Sequence, residues 1–140
     1  MQKVTHASLR HAHTELLRDL QGLEELTRSL ASQDWGKLAA RLEAIAAHLA
    51  EHFRLEEEDG YFDEVRQEQP RLERTIARLA EEHRQMADSL NALIQDAQRA
   101  TNVETLPARI QEWIHSVRDH EARENALAQE AFSRDTGGQD

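Results

Sequence analysis

The chain has 140 residues, 27 acidic against 17 basic side chains, a formal charge of −10 and no cysteine. That length suits one domain around one hydrophobic core. The acidic balance argues against nucleic acid as a partner, because phosphate binding needs a clustered Lys/Arg surface. The lack of cysteine excludes disulfides, thiolate-ligated zinc, iron–sulfur clusters and cysteine nucleophiles. No apolar run approaches the roughly 20 residues of a membrane span, and the Met1–Arg10 stretch lacks the apolar core of a signal peptide. The expectation is a soluble, cytoplasmic domain with no membrane partner. Eight histidines stand out in so small a chain.

The sequence is rich in Ala, Leu, Glu, Arg and Gln, whose side chains lose little freedom in a helix, and it shows no period-two run of β-branched residues. Breaks fall at Ser32–Gln33–Asp34 with Gly36, at Asp59–Gly60, at Pro70, and at Thr101–Asn102 with Pro107. They predict four helical segments, 4–31, 35–59, 70–99 and 104–132, with a tail at 133–140 that frays.

Each segment carries a hydrophobic stripe that advances by alternating steps of three and four. The first runs His6, Leu9, His13, Leu16, Leu20, Leu23, Thr27, Leu30. The second runs Trp35, Leu38, Leu42, Ile45, Leu49, His52, Glu56. The third runs Leu72, Ile76, Leu79, His83, Met86, Leu90, Leu93, Ala97, and the fourth Leu106, Ile110, Trp113, Val117, His120, Glu124, Leu127, Ala131. Four such seams on short connections predict an all-α fold, an antiparallel up-down-up-down four-helix bundle over residues 1–132.

Eight of the 31 seam positions are polar: His6, His13, Thr27, His52, Glu56, His83, His120 and Glu124. A bare carboxylate facing a core costs several kcal/mol or stays protonated, so something must offset that cost. Measured along the helices, His13 and His52 both sit about 25 Å below the connection that joins them, and His83 and His120 are likewise level. The halves repeat: a lone histidine precedes a His-x-x-x-Glu by 39 residues in the first half and by 37 in the second. The pattern is a pseudo-twofold site, each half supplying two imidazoles and one carboxylate.

Residues at i and i+4 share a helix face, with Cβ atoms about 5–6 Å apart. His52 with Glu56, and His120 with Glu124, can therefore ligate one cation or span two. Four imidazoles and two carboxylates suit two divalent ions of borderline hardness, iron first, then manganese or zinc. The cation charge would neutralise the buried glutamates. A single seam histidine reads more simply as a hydrogen-bonded core residue, but four at one level with two glutamates point to metal. Trp35, Trp113 and Met86 read as plain core. The acidic clusters Glu56–Glu57–Glu58–Asp59, Glu81–Glu82 and Glu24–Glu25 read as solvated faces apart from Glu56.

The order His13, His52-Phe-Arg-Leu-Glu56, His83, His120-Glu-Ala-Arg-Glu124 resembles the hemerythrin-like, or HHE cation-binding, family over nearly the whole chain. The resemblance implies a four-helix bundle holding a non-haem di-iron centre, oxo- or hydroxo-bridged. Glu56 and Glu124 would be its bridging carboxylates, and His13, His52, His83 and His120 its terminal ligands. Oxygen-carrying members place a second histidine where this chain has Ala87, and an aspartate where it has Asn125. The variant is closer to regulatory hemerythrin-like domains, such as that of the animal iron-sensing ubiquitin ligase subunit. Fewer histidines leave positions open to water, peroxide or another carboxylate, which counts against reversible dioxygen carriage.

His48 and Glu57 are the candidates for additional ligands, although both point well off the stripe centre. His6 is read as a cap on the bundle end, and His11 and His115 as surface residues. Tyr61 and Phe62 follow the end of the second helix, where they can fold over the mouth of the site. Tyr61 is a candidate gate or hydrogen-bond donor to a bound oxygen ligand, with core capping the plainer alternative.

The sequence lacks the paired Glu-x-x-His of ferritin-like sites, a His-Glu-x-x-His zinc-protease motif and a nucleophile elbow. The expected function is a di-iron protein that binds or reacts with dioxygen, peroxide or nitric oxide, as sensor, scavenger or iron-responsive module. The alternatives are a redox enzyme of catalase or peroxidase type, and a storage or structural metal protein.

Overall fold

The computed structural model describes residues 6–29, 34–58 and 60–132, the first four of these by backbone alone. The expectations for His6 as a cap and for the fraying of 133–140 lie outside what is described. Four long helices form: α1 (His6–Ser29), α2 (Trp35–Glu57), α4 (Glu73–Arg99) and α5 (Leu106–Phe132). Among the described residues there is no strand, and no helix is long and apolar enough to cross a membrane.

One element differs from the sequence expectation. The stretch between Gly60 and Pro70 folds as a short helix, α3 (Tyr61–Glu68), followed by a 3-10 turn at Pro70–Leu72. Gly60 starts α3 from a left-handed conformation, φ +98°, which lets the chain turn sharply out of α2. The side chains of Tyr61, Phe62 and Val65 are buried, so this helix is amphipathic over barely two turns.

The long helices pack in a ring, α1 against α2 and α5, and α4 against α2 and α5. Cross-helix partners run in opposite order. Asp19 meets His48 on α2, and three residues further along α1 the Arg41 guanidinium, lower in number, occupies the space a Cβ on Gly22 would need. On α1 and α5, His13 meets Glu121 and Glu24 meets Arg118. On α4 and α5, Glu82 meets His120 and Asp96 meets Arg109. Each of these neighbours is therefore antiparallel to the next, as short connections require.

The seam residues fill two apolar clusters. The larger, with Leu20, Leu42, Leu90 and Ile110 among its members, occupies the hairpin end. The smaller joins Tyr61, Phe62 and Val65 of α3 to Leu72, Ile76, Leu79, Leu127 and Ala131. On α4, Leu79 belongs to the smaller cluster and Met86 to the larger; on α5, so do Leu127 and Val117. On α4 and α5 the polar seam residues His83, His120 and Glu124 fall between, in a layer with hydrocarbon above and below. Trp113 is core as expected, and its indole N–H donates to the Met86 carbonyl. Trp35 is half-buried at the edge of the larger cluster, and Thr27 satisfies its hydroxyl by donating to the Leu23 carbonyl.

Candidate metal centre

All six residues selected by spacing converge in this layer, carried there by the four long helices. His52, Glu56, His83, His120 and Glu124 are buried, and His13 is partly exposed. Glu124 is the hub. Its carboxylate lies 3.0 Å from His120 Nε2, 3.1 Å from His83 Nε2 and 3.7 Å from His52 Nε2. Glu56 lies 3.1 Å from His83 Nε2 and 3.4 Å from His52 Nε2, so it too reaches an imidazole from each half.

A seventh group joins them that the sequence reading did not select. Glu121 is buried, and its Oε1 stands 2.5 Å from His13 Nδ1 and 3.2 Å from His52 Nε2. It follows His120 directly, so a stripe taken one residue per turn skips it. The available signal was the width of the buried face: Phe53, Ile94 and Ile114 are also buried beside a seam residue, and an apolar helix face spans about 100° or more.

The two residues proposed as additional ligands sit elsewhere. His48 is on the surface, its Nδ1 2.5 Å from Asp19 on α1, and this carboxylate raises its pKa; its partner on another helix was invisible to periodicity. Glu57 accepts a hydrogen bond from His83 Nδ1, on the side of the ring away from Glu56 and Glu124. Glu82, assigned to a solvated face, instead holds His120 Nδ1 at 2.6 Å and is itself held by Arg123 at 2.8 Å. Carboxylates in this position fix the ring orientation and tautomer and raise ligand basicity. Glu24 also departs from that assignment, pairing with Arg118 across α1 and α5 at 3.2 Å. His11 and His115 are exposed, as expected.

The electrostatics of the protein residues alone are unbalanced. Burial, then the neighbouring Glu124, pushes the Glu56 carboxyl well above the ordinary range. Burial would raise Glu124 as well, but Glu56, His120, His52 and His83 crowded around its carboxylate hold it well below. For His52, burial favours the neutral ring, yet the nearby carboxylates of Glu121 and Glu124 outweigh it and lift its pKa to about 9. Both ring nitrogens of His52, Glu56 Oε1 and Glu121 Oε2 are buried and make no hydrogen bond. Buried polar atoms are otherwise nearly always satisfied. Imidazole and carboxylate atoms crowded but unsatisfied are the donor set for a divalent cation. Three groups bring their ligand atoms within 4.8 Å of one another: His13–His52–Glu121, His83–His120–Glu124 and His52–Glu56–Glu124. The residues fit a metal centre.

The layer opens on one side. A cavity of about 420 Å³ is lined by His13, His52, Glu56, Glu124 and Tyr61, with Phe132 among its other walls. Tyr61 lines this cavity as a buried member of the smaller apolar cluster, the core-capping place, its hydroxyl kept protonated by burial and by the Glu124 charge. Phe53 and Phe62 stack on His83 from within the core.

A family model described as the hemerythrin HHE cation-binding domain matches residues 4–131. No curated protein and no solved structure matches the chain.

Proposed function

The chain belongs to the hemerythrin HHE cation-binding family, and from that premise we propose that it is a non-haem di-iron protein that binds or reacts with dioxygen, peroxide or nitric oxide. The observation that carries this reading is the convergence of four imidazoles and three carboxylates into one buried layer, several of their atoms without hydrogen bonds. Glu56 and Glu124 each approach imidazoles of both halves, the placement a bridging carboxylate needs. Iron is favoured over manganese or zinc because the donors are mixed imidazole and carboxylate, and because the cavity gives a small ligand a route in.

Two such cations supply reversible one-electron changes and a Lewis-acid position for a small oxygen or nitrogen ligand. The protein residues do the rest. Glu57 and Glu82 orient His83 and His120. Phe53 and Phe62 keep water from the His83 face. Tyr61 is a buried wall of the cavity and carries a hydroxyl.

The test is elemental analysis and an absorption spectrum of protein purified without added metal. Two irons per chain, near-ultraviolet oxo-bridge bands and new charge-transfer bands on adding azide or peroxide are the expected result. A zinc-only, spectroscopically silent centre would overturn it in favour of a structural metal.

A further inference from the structure

The two halves of the site are built on one plan, and the places where they depart from it concern metal affinity. Helices α1 and α2 map onto α4 and α5 through His13 and His83, His52 and His120, and Glu56 and Glu124. On that mapping Glu82, which holds His120 Nδ1, corresponds to Ala12. Glu57, which holds His83 Nδ1, corresponds to Asn125. Both carboxylates that back the imidazoles of one half are therefore replaced in the other, and His52 Nδ1 is buried without a hydrogen bond.

A third departure points the same way. Phe53, stacked on His83 with ring centroids 3.7 Å apart, corresponds to Glu121, which turns to His13 and His52. The His83 and His120 side chains are 3% and 1% exposed, against 29% for His13, with His52 buried at 2%. The cavity reaches His13 and His52 and neither His83 nor His120. A separate groove between α4 and α5 touches His120, but there Glu82 and Arg123 cover its Nδ1 edge.

Resting on the metal-centre reading above, we infer that the two cation positions are unequal: a tight, closed one at His83 and His120, and a weaker, exchangeable one at His13, His52 and Glu121. Carboxylates behind ligating histidines typically contribute about 10–100-fold in metal affinity; Glu57 and Glu82 do so at one position, whereas at the other Glu121 is itself a ligand candidate between His13 Nδ1 and His52 Nε2, and nothing backs His52 Nδ1. The chain therefore passes through a one-metal state, and the second cation comes and goes through the cavity with the free metal concentration.

The experiment is a titration of metal-free protein with cobalt(II) against a competing chelator, followed by the visible ligand-field bands and by metal content after gel filtration. Two steps at least about tenfold apart are expected. Glu121→Gln should weaken or abolish the second step and leave the first. Glu82→Gln should weaken the first. Ala12→Glu and, separately, Asn125→Glu should tighten the second step by restoring the missing carboxylate, and helicity by circular dichroism controls for folding of every variant. A single two-cation step overturns the inference and leaves the metal centre standing, as does loss of the tight step in Glu121→Gln or an unchanged second step in both added-carboxylate variants. Failure of the unaltered protein to take up cobalt at all overturns the metal-centre reading and this inference with it.

Discussion

The ring of Phe53 lies flat on the imidazole of His83, centroids 3.7 Å apart and planes 8° from parallel. Phe62 stacks on the same imidazole at 5.8 Å. This hydrocarbon belongs to the core and to the site at once: it contributes burial to the fold and holds a ligating ring in place. Phe53→Ala should cost about 3–5 kcal/mol of stability, the usual scale for losing a buried aromatic ring. It should also let a chelator strip metal faster from the folded protein. Chemical denaturation measures the first effect, and stopped-flow chelator exchange the second. Phe53→Leu, which refills most of the volume, should recover most of the stability but not the slow exchange.

Glu56 separates folding from metal binding. Burial and the Glu124 charge keep its carboxyl protonated in the metal-free chain, so a glutamine of the same shape asks nothing new of that fold. Glu56→Gln should change metal-free stability by no more than about 1 kcal/mol, the scale of one hydrogen bond. Metal content after reconstitution should nevertheless fall from two equivalents per chain towards one. Thermal unfolding in chelator, beside elemental analysis of the reconstituted variant, checks both parts.

The histidines give a pH dependence whose sign can be worked out. In the metal-free chain the His52 pKa is raised from 6.5 to about 9, because Glu121 and Glu124 outweigh the effect of burial. Its contribution to metal-free stability is therefore complete below pH 6.5 and is lost as pH rises through about 9. A cation needs the neutral ring, so metal uptake runs in the opposite direction: apparent affinity should climb with pH across this window, and loading at pH 7.5 should release protons. Unfolding of the metal-free protein across pH 6–9.5 and proton release in weakly buffered titrations test the two halves of this statement.

The six residues at the heart of the layer were legible in the sequence because a helical seam admits one residue per turn, and a histidine or glutamate in that register has nowhere to point but inward. The same rule concealed Glu121, since the buried face is wider than the seam. Glu82 looked like part of an exposed acidic pair, and its role depends on His120, 38 residues away on a different helix. Helix α3 was missed for a related reason: Tyr61, Phe62 and Val65 are too few to establish a period, and they become helical where Leu127 and Ala131 give them a surface to cover. What periodicity encodes is the direction of a side chain relative to its own helix; it does not encode the neighbour it meets.

Two positions with left-handed backbone should respond in opposite senses. Gly60 starts α3 at φ +98°, and a Cβ there would meet nothing within 4 Å. The penalty of Gly60→Ala is thus purely conformational, about 1 kcal/mol or somewhat more. Ala100 ends α4 at φ +54°, where Thr101 N–H donates to the Asp96 carbonyl and closes the helix. Glycine is the residue preferred at such a helix end, so Ala100→Gly should stabilise the protein by up to about 1 kcal/mol, offset in part by the greater freedom of glycine in the unfolded chain. Both sites lie outside the groups that could hold a cation, so metal content should be unchanged in either variant. Opposite shifts of the urea midpoint at constant m-value are the expected signature; shifts in the same direction would show that the two turns are not conformationally controlled in this way.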